Sequence, residues 1–370
     1  SSMSKGNRNR IARATAKPPI NNSIIGRQNH LPNPNAKIVS SLLDEMVDGC
    51  EYASIVDCFP EKMDFSKEVK RALTAISEIR NRPVICYAAN MVNNNIRSQT
   101  GINTTDDLPF LEMVRSVDPS AREIDIVLVT PGGSAERVSH YVNVIRKRFD
   151  RVGFILPFLS MSAGTIFCLS GDEIIMDENA CIGPIDPQVP SKDGRFVPAQ
   201  SILTLLNDIQ DRGQKALSKG IQPNWTDIQI LRNLDPKEIG SATNASNYCI
   251  GLVTNYLREY KFKDWKVHSS DGREVTIDDK NNRAEEIAKQ LCDHSIWKTH
   301  SRGITRDIAE SVCRLKITHP EDVEGLNSAI RRLWALLYWM FERQSIYKVF
   351  ISQDYSIFRS EISQVILVKS

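Results

Sequence analysis

Two short stretches carry residue types that could do chemistry. The first is Met161-Ser162-Ala163-Gly164-Thr165, a serine among small residues directly after the apolar run VGFILPF (152–158). A serine at a sharp strand-to-helix turn has its hydroxyl exposed, and the next backbone N–H faces the oxygen of a carbonyl under attack. The alternative is structural, with Ser160, Ser162 and Thr165 capping a helix that enters the core. The second stretch, Thr130-Pro131-Gly132-Gly133-Ser134, also follows an apolar run, IDIVLV (124–129). Glycine-rich backbone opening a helix binds anions. This one lacks both GxGxxG spacing and a GK[ST] ending, so nucleotide binding is poorly supported.

These turns need elements to hold them. IDIVLV, VGFILPF and EIIMD (173–177) read as strands, the first buried on both faces. Ala135–Phe149 has Val138, Tyr141, Val142, Ile145 and Phe149 on one helical face, and Ser160–Ser170 begins a second helix. Strand and helix alternating at this spacing predict right-handed crossovers and a parallel α/β core. Upstream, 38–56 and 67–79 show helical spacing, VICYAA (84–89) reads as a strand, and 108–117 as a helix. Downstream of Ile202 helices dominate, most clearly 283–293 and 326–341, with terminal strands expected at 347–352 and 365–368. The aromatic stripe at 334–341 reads as core or subunit interface. The expected organisation is a disordered basic tail (1–36), an N-terminal helical segment (37–80), an α/β core (81–275) and a helical C-terminal region (276–370).

Composition excludes several classes. The 370 residues are 41% hydrophobic and 25% charged, an ordinary globular balance. Net charge is +2, but residues 1–43 hold seven basic and no acidic residues, which leaves the remainder at about −5. The basic character belongs to the tail, and without interleaved aromatics it gives no base-stacking surface; no nucleic-acid partner is expected. Eight cysteines without a CxxC pair, beside six histidines, fit neither a zinc site nor a disulfide framework. No metal or cofactor is expected, and reduced thiols point to the cytoplasm. Residues 152–171 run 20 residues without a charge, long enough to span a bilayer. Pro157, the serines, and the bracketing Arg151 and Asp172-Glu173 argue instead for a buried strand, turn and helix. No apolar N-terminal segment suggests an anchor or secretory signal.

Taken together, TPGG (130–133), SMSAGT (160–165) and GPIDPQ (183–188) resemble the Clp protease/crotonase superfamily. Within it the likeness is to the serine dehydrogenase proteinases, relatives of signal-peptide peptidase A. RPVI (82–85) and WKTHSRGIT (297–305) extend it to roughly residues 80–325. The resemblance implies a Clp/crotonase-like parallel-sheet core and a self-associating serine peptidase acting on peptide or protein. Ser162 would be the nucleophile and the N–H groups of Gly133 and Ala163 the oxyanion hole. No redox cofactor is suggested despite the family name.

The base is less plain. The position where Clp proteases carry a histidine reads Gly183-Pro184-Ile185-Asp186. Signal-peptide peptidase relatives use a lysine, and Lys215 matches best by spacing, with Lys219 second. A buried ammonium loses its proton more easily and then serves as base. His300 matches a histidine of the nearer family and is the third choice, while Asp186 reads as a turn cap or as the group that orients a base. Two other readings stand beside the peptidase. One is a catalytically inactive, self-associating scaffold of the same fold. The other is a crotonase-type acyl-CoA enzyme, which has no need of a serine at this elbow.

Overall fold

The computed structural model describes residues 36–58 and 60–361. The expected basic tail (up to Asn35) and the expected strand at 365–368 lie outside the described residues. In chain order the strands are β1 (Val84–Ala89), β2 (Glu123–Val129), β3 (Arg151–Leu156), β4 (Leu159–Ser160), β5 (Glu173–Met176), β6 (Cys181–Ile182), β7 (Gln188–Pro190), β8 (Phe196–Pro198), β9 (Ile304–Thr305), β10 (Ile346–Ile351) and β11 (Ser356–Ser360). The helices begin with α1 (Leu42–Glu45), α2 (Glu51–Val56), α3 (Phe65–Arg80), α4 (Asp107–Arg115), α5 (Ala135–Arg146) and α6 (Ala163–Cys168). They continue as α7 (Ala199–Ser218), α8 (Trp225–Asn233), α9 (Pro236–Tyr256), α10 (Ile277–Cys292), α11 (His294–Trp297), α12 (Arg306–Ser311) and α13 (Leu326–Arg343).

The central sheet has the order β11-β10-β1-β2-β3-β5. β1, β2, β3 and β5 run parallel, and β10 and β11 close one side antiparallel. The α/β class with a mostly parallel sheet is therefore as expected. Both faces are covered, which is why these strands are apolar throughout rather than alternating. Ile85 and Tyr87 of β1 and Ile124, Ile126 and Leu128 of β2 pack with α4, α5, α6, α9 and α10. Val84, Cys86, Ala88, Val127 and Val129 face the other way, onto α3 and α13.

Helix α13 fills that second face with Leu326, Ile330, Leu333, Leu336, Leu337 and Met340, all buried. Burying each such side chain is worth about 1.5–3 kcal/mol. Its Trp339 stacks on Phe65 with ring centroids 4.9 Å apart, so the aromatic stripe is core at this point. The run 152–171 resolves into β3, β4 and α6 in the middle of the fold. Among the described residues no helix is long and apolar enough to cross a membrane. The region 38–56 departs from expectation: the turn at Asp48-Gly49 divides it into the short helices α1 and α2.

A second, three-stranded sheet positions the chemistry. β4 pairs parallel with β6, which pairs antiparallel with β9. The strand directions send the chain after β4, the chain after β6 and the chain before β9 out of the same end.

Candidate active site

Ser162 leaves that end two residues beyond β4. Its backbone sits at φ 52° and ψ −117°, a region sparsely populated by residues with a side chain. Such a conformation costs about 1–3 kcal/mol and persists only where its surroundings over-determine it. Those surroundings can be named. Thr130 N–H donates to the Leu159 carbonyl at 3.0 Å, and Met161 N–H donates back to the Thr130 carbonyl at 3.0 Å. On the far side, Ser162 carbonyl accepts from Thr165 N–H at 2.9 Å and opens α6. The buried Thr165 hydroxyl accepts from Gly183 N–H at 2.8 Å and lies 3.1 Å from the Ser160 carbonyl. The turn is thus clamped by β2 on one side and by the residue after β6 on the other.

The TPGG turn backs directly onto it. A Cβ on Gly132 would lie 2.7 Å from Ser162 Cβ and 3.3 Å from Ala163 N, and Gly132 itself has φ +112°. Only glycine fits there. Gly133, at φ +131°, lies equally close to Ile102, with which it forms a parallel bridge. Among the described residues, the N–H groups of Gly133 and Ala163 have no hydrogen-bond acceptor. Ser134 accepts from Arg137 N–H at 3.2 Å and caps α5, so the turn is fixed at both ends.

Asp186 and His300 reach the same end from β6 and β9. A Cβ on Gly183 would lie 3.3 Å from Ser162 N, so the chain after β6 passes the serine elbow, and the antiparallel pairing of β6 with β9 returns the turn that holds His300 to the same end. The side chains meet there, with His300 Nδ1 2.9 Å from Asp186 Oδ1. Asp186 is buried, whereas His300 keeps a 20% exposed side chain. A carboxylate only accepts, so Nδ1 carries the proton and Nε2 is left free to take one. The second oxygen of Asp186 has no partner among the described residues. Its neighbours include the thiols of Cys249 and Cys292, each pushed up to about 12 by burial and then by the Asp186 charge.

Lys215 lies in the last turn of α7 and Lys219 directly follows it. Ala199 N–H donates to the Pro187 carbonyl at 2.8 Å, so α7 starts next to Asp186. Lys215 lies 16 residues further along, about 24 Å at 1.5 Å per residue. Lys215 and Lys219 are both exposed, and neither has the burial on which a neutral amine depends. Of the residues singled out from sequence, the fold brings Ser162, Gly133, Ala163, Asp186 and His300 to one region. The strained φ of Ser162 and the His300–Asp186 contact were not readable from spacing. The only sequence signal for the latter was that each residue sits in a motif of its own.

Residues 63–218 match the family model of the ClpP-like SDH-type serine proteinases, which bears out the resemblance over that segment. Two curated relatives are uncharacterized proteins of Methanocaldococcus jannaschii. MJ0137 is 28% identical over 172 residues, covering 46% of this chain and 54% of its own length. MJ1495 is 36% identical over 102 residues, covering 28% of this chain and 33% of its own length. The chain therefore spans about half of the first relative and a third of the second. Similar solved structures include a serine-to-alanine mutant of the 1510-N membrane-bound stomatin-specific protease. It is 17% identical with a TM-score of 0.34, covering 59% of this chain and 74% of that one. A lysine-to-alanine mutant of the same protease, in complex with a substrate peptide, has the same identity and TM-score and is covered over 71%.

Proposed function

We propose that the segment matching the ClpP-like SDH-type serine proteinases is the catalytic core of a serine peptidase. In this reading Ser162 is the nucleophile, His300 its base and Asp186 the residue that orients the base. The observation that carries the proposal is the convergence of three chain segments at one end of the β4-β6-β9 sheet. A strained serine elbow comes from the first, a buried carboxylate from the second and the imidazole it holds from the third.

The chemistry follows from these groups. His300 Nε2 takes the Ser162 hydroxyl proton as Oγ attacks the peptide carbonyl carbon. The carbonyl oxygen becomes an oxyanion and is met by the Gly133 and Ala163 N–H groups. As the C–N bond breaks, the imidazolium returns its proton to the leaving amine and an acyl-serine remains. Water, deprotonated by the same imidazole, then attacks the ester and releases the acid. Asp186 stabilises the imidazolium of both steps without being protonated itself. An oxyanion donor of this kind is worth about 2.7–4 kcal/mol.

His300 is preferred over Lys215 because a buried carboxylate already holds its ring at that end of the sheet. The substrate class is peptide or protein, and self-association and a cytoplasmic setting are kept from the sequence reading. A fluorophosphonate, which is attacked by activated serines, tests the proposal. It should modify Ser162 of the wild type and leave His300→Ala unmodified. Labelling that is indifferent to His300 would remove the base assignment, and an unlabelled wild type would favour the inactive scaffold.

A further inference from the structure

Lys348 and Asp106 form an ion pair in which both side chains are fully buried. Replacing such a pair by apolar residues is often neutral or even stabilising, so its presence asks for another account. The ammonium lies 2.8 Å from each Asp106 oxygen and spends its remaining donor on the Gly101 carbonyl, at 2.6 Å. Asp106 also accepts from Tyr87 Oη at 2.7 Å and from Asn103 N–H at 3.2 Å. The pair therefore grips residues 101–103 from both sides.

Between those two grips lies Ile102, and Ile102 faces the TPGG turn. Its N–H donates to the Gly132 carbonyl at 2.7 Å, and its carbonyl accepts from Ser134 N–H at 2.9 Å. In a planar trans peptide the C=O of one residue and the N–H of the next point in opposite directions. Holding the Gly132 carbonyl on Ile102 therefore turns the Gly133 N–H away from Ile102. Gly132 contacts Ser162 closely enough that no side chain would fit between them.

We propose that Lys348 and Asp106 are positioning residues that, through Gly101 and Ile102, fix the direction of the Gly133 N–H as an oxyanion donor. The proposal rests on the serine-peptidase reading for its catalytic consequence, but the mechanical link is separable from it. Neither side chain touches the reacting atoms. Their effect is on the orientation of one peptide plane.

The test uses the full chain and the double variant Lys348→Met/Asp106→Asn. The carboxamide oxygen introduced at position 106 would still accept from Tyr87 and Asn103, so the variant removes the tether to Gly101; it also removes the carboxylate that Arg359 Nη1 meets at 3.3 Å, and Arg359→Gln alone is the control for that loss. Amide hydrogen exchange at Ile102 should accelerate at least about tenfold once the tether is lost. Fluorophosphonate labelling of Ser162 and kcat for peptides should each fall about 10–100-fold, short of the full loss of a donor, with KM within about twofold. Unchanged Ile102 exchange together with unchanged labelling overturns the proposal, as does a rise in KM at constant kcat. If the wild type is itself inert while Ile102 exchange still accelerates in the variant, the positioning link stands and the peptidase reading falls. Should the variant not fold, the wild type alone decides. An Ile102 amide that exchanges as fast as an unstructured loop contradicts the link, and one protected to near the global limit supports it.

Discussion

His300 Nδ1 lies 2.9 Å from Asp186 Oδ1, although 114 residues separate them in the chain. They meet because β6 and β9 pair antiparallel, which puts the chain after β6 and the turn at Thr299–Arg302 before β9 at the same end. A buried carboxylate with one free oxygen makes this contact costly unless the imidazole repays it. The proposed mechanism supplies a reason, because in it the carboxylate would stabilise the imidazolium formed during proton transfer. Asp186→Asn should therefore lower kcat by orders of magnitude while leaving KM close to wild type. His300→Ala should cost about 10²–10⁴-fold, and Lys215→Ala and Lys219→Ala should cost little. Peptide kinetics on the four variants check this, and a collapse in Lys215→Ala with a normal His300→Ala would return the base to α7.

Strain at Ser162 gives a stability prediction separate from activity. Both Ser162→Ala and Ser162→Gly should abolish turnover in the proposed mechanism, but only glycine tolerates φ 52° and ψ −117° without cost. The glycine variant should be the more stable of the two by about 1 kcal/mol after allowing for its extra unfolded-state entropy. Urea denaturation decides this, and an alanine variant at least as stable as glycine would show that the elbow is unstrained.

Gly132 should be the least replaceable residue of its turn. In Gly132→Ala the new methyl meets Ser162 Cβ at 2.7 Å and the Met161 carbonyl at 2.9 Å. The clash and the positive φ together should destabilise by about 2–4 kcal/mol and displace Ser162. A melting curve and a fluorophosphonate labelling rate measured on the same sample check both effects. Wild-type values in either would contradict the packing described here.

Acid stability follows from Asp172. Burial alone would raise its pKa, but Lys263 at 2.6 Å, Val152 N–H at 2.8 Å and Arg146 at 2.9 Å outweigh it. The carboxyl is held below its ordinary value of 3.8. A group depressed in the folded state stabilises above its unfolded pKa, and that stability is lost as pH falls through the folded value. Wild-type stability should thus decline on acidification below about pH 4. Asp172→Asn should be about 3 kcal/mol less stable at pH 7 and show a shallower acid limb. Parallel pH-dependent denaturation curves for the two proteins would reveal any failure of this sign.

Much of the central sheet was legible because its strands are buried on both faces and read as unbroken apolar runs. IDIVLV and EIIMD became β2 and β5 nearly to the residue. The β4-β6-β9 sheet was not legible, since two-residue strands such as Cys181-Ile182 leave no periodicity. That sheet brings Asp186 and His300 together, so from sequence the base could only be ranked by spacing, with Lys215 first, and the His300–Asp186 contact could not be weighed. Lys348 was hidden for a related reason: a lysine inside YKVFI reads as an edge position, whereas β10 lies between β11 and β1 and buries it. The division at 38–56 was missed because apolar spacing continues through the Asp48-Gly49 turn.

The most direct measurement is intact-mass analysis of the wild type and Ser162→Ala after exposure to a fluorophosphonate, followed by peptide mapping. The account predicts a single phosphonyl adduct on Ser162 in the wild type and none in the variant, with both proteins equally folded by circular dichroism. An adduct at another residue, equal labelling of Ser162→Ala, or a folded wild type that takes up no phosphonate would contradict it.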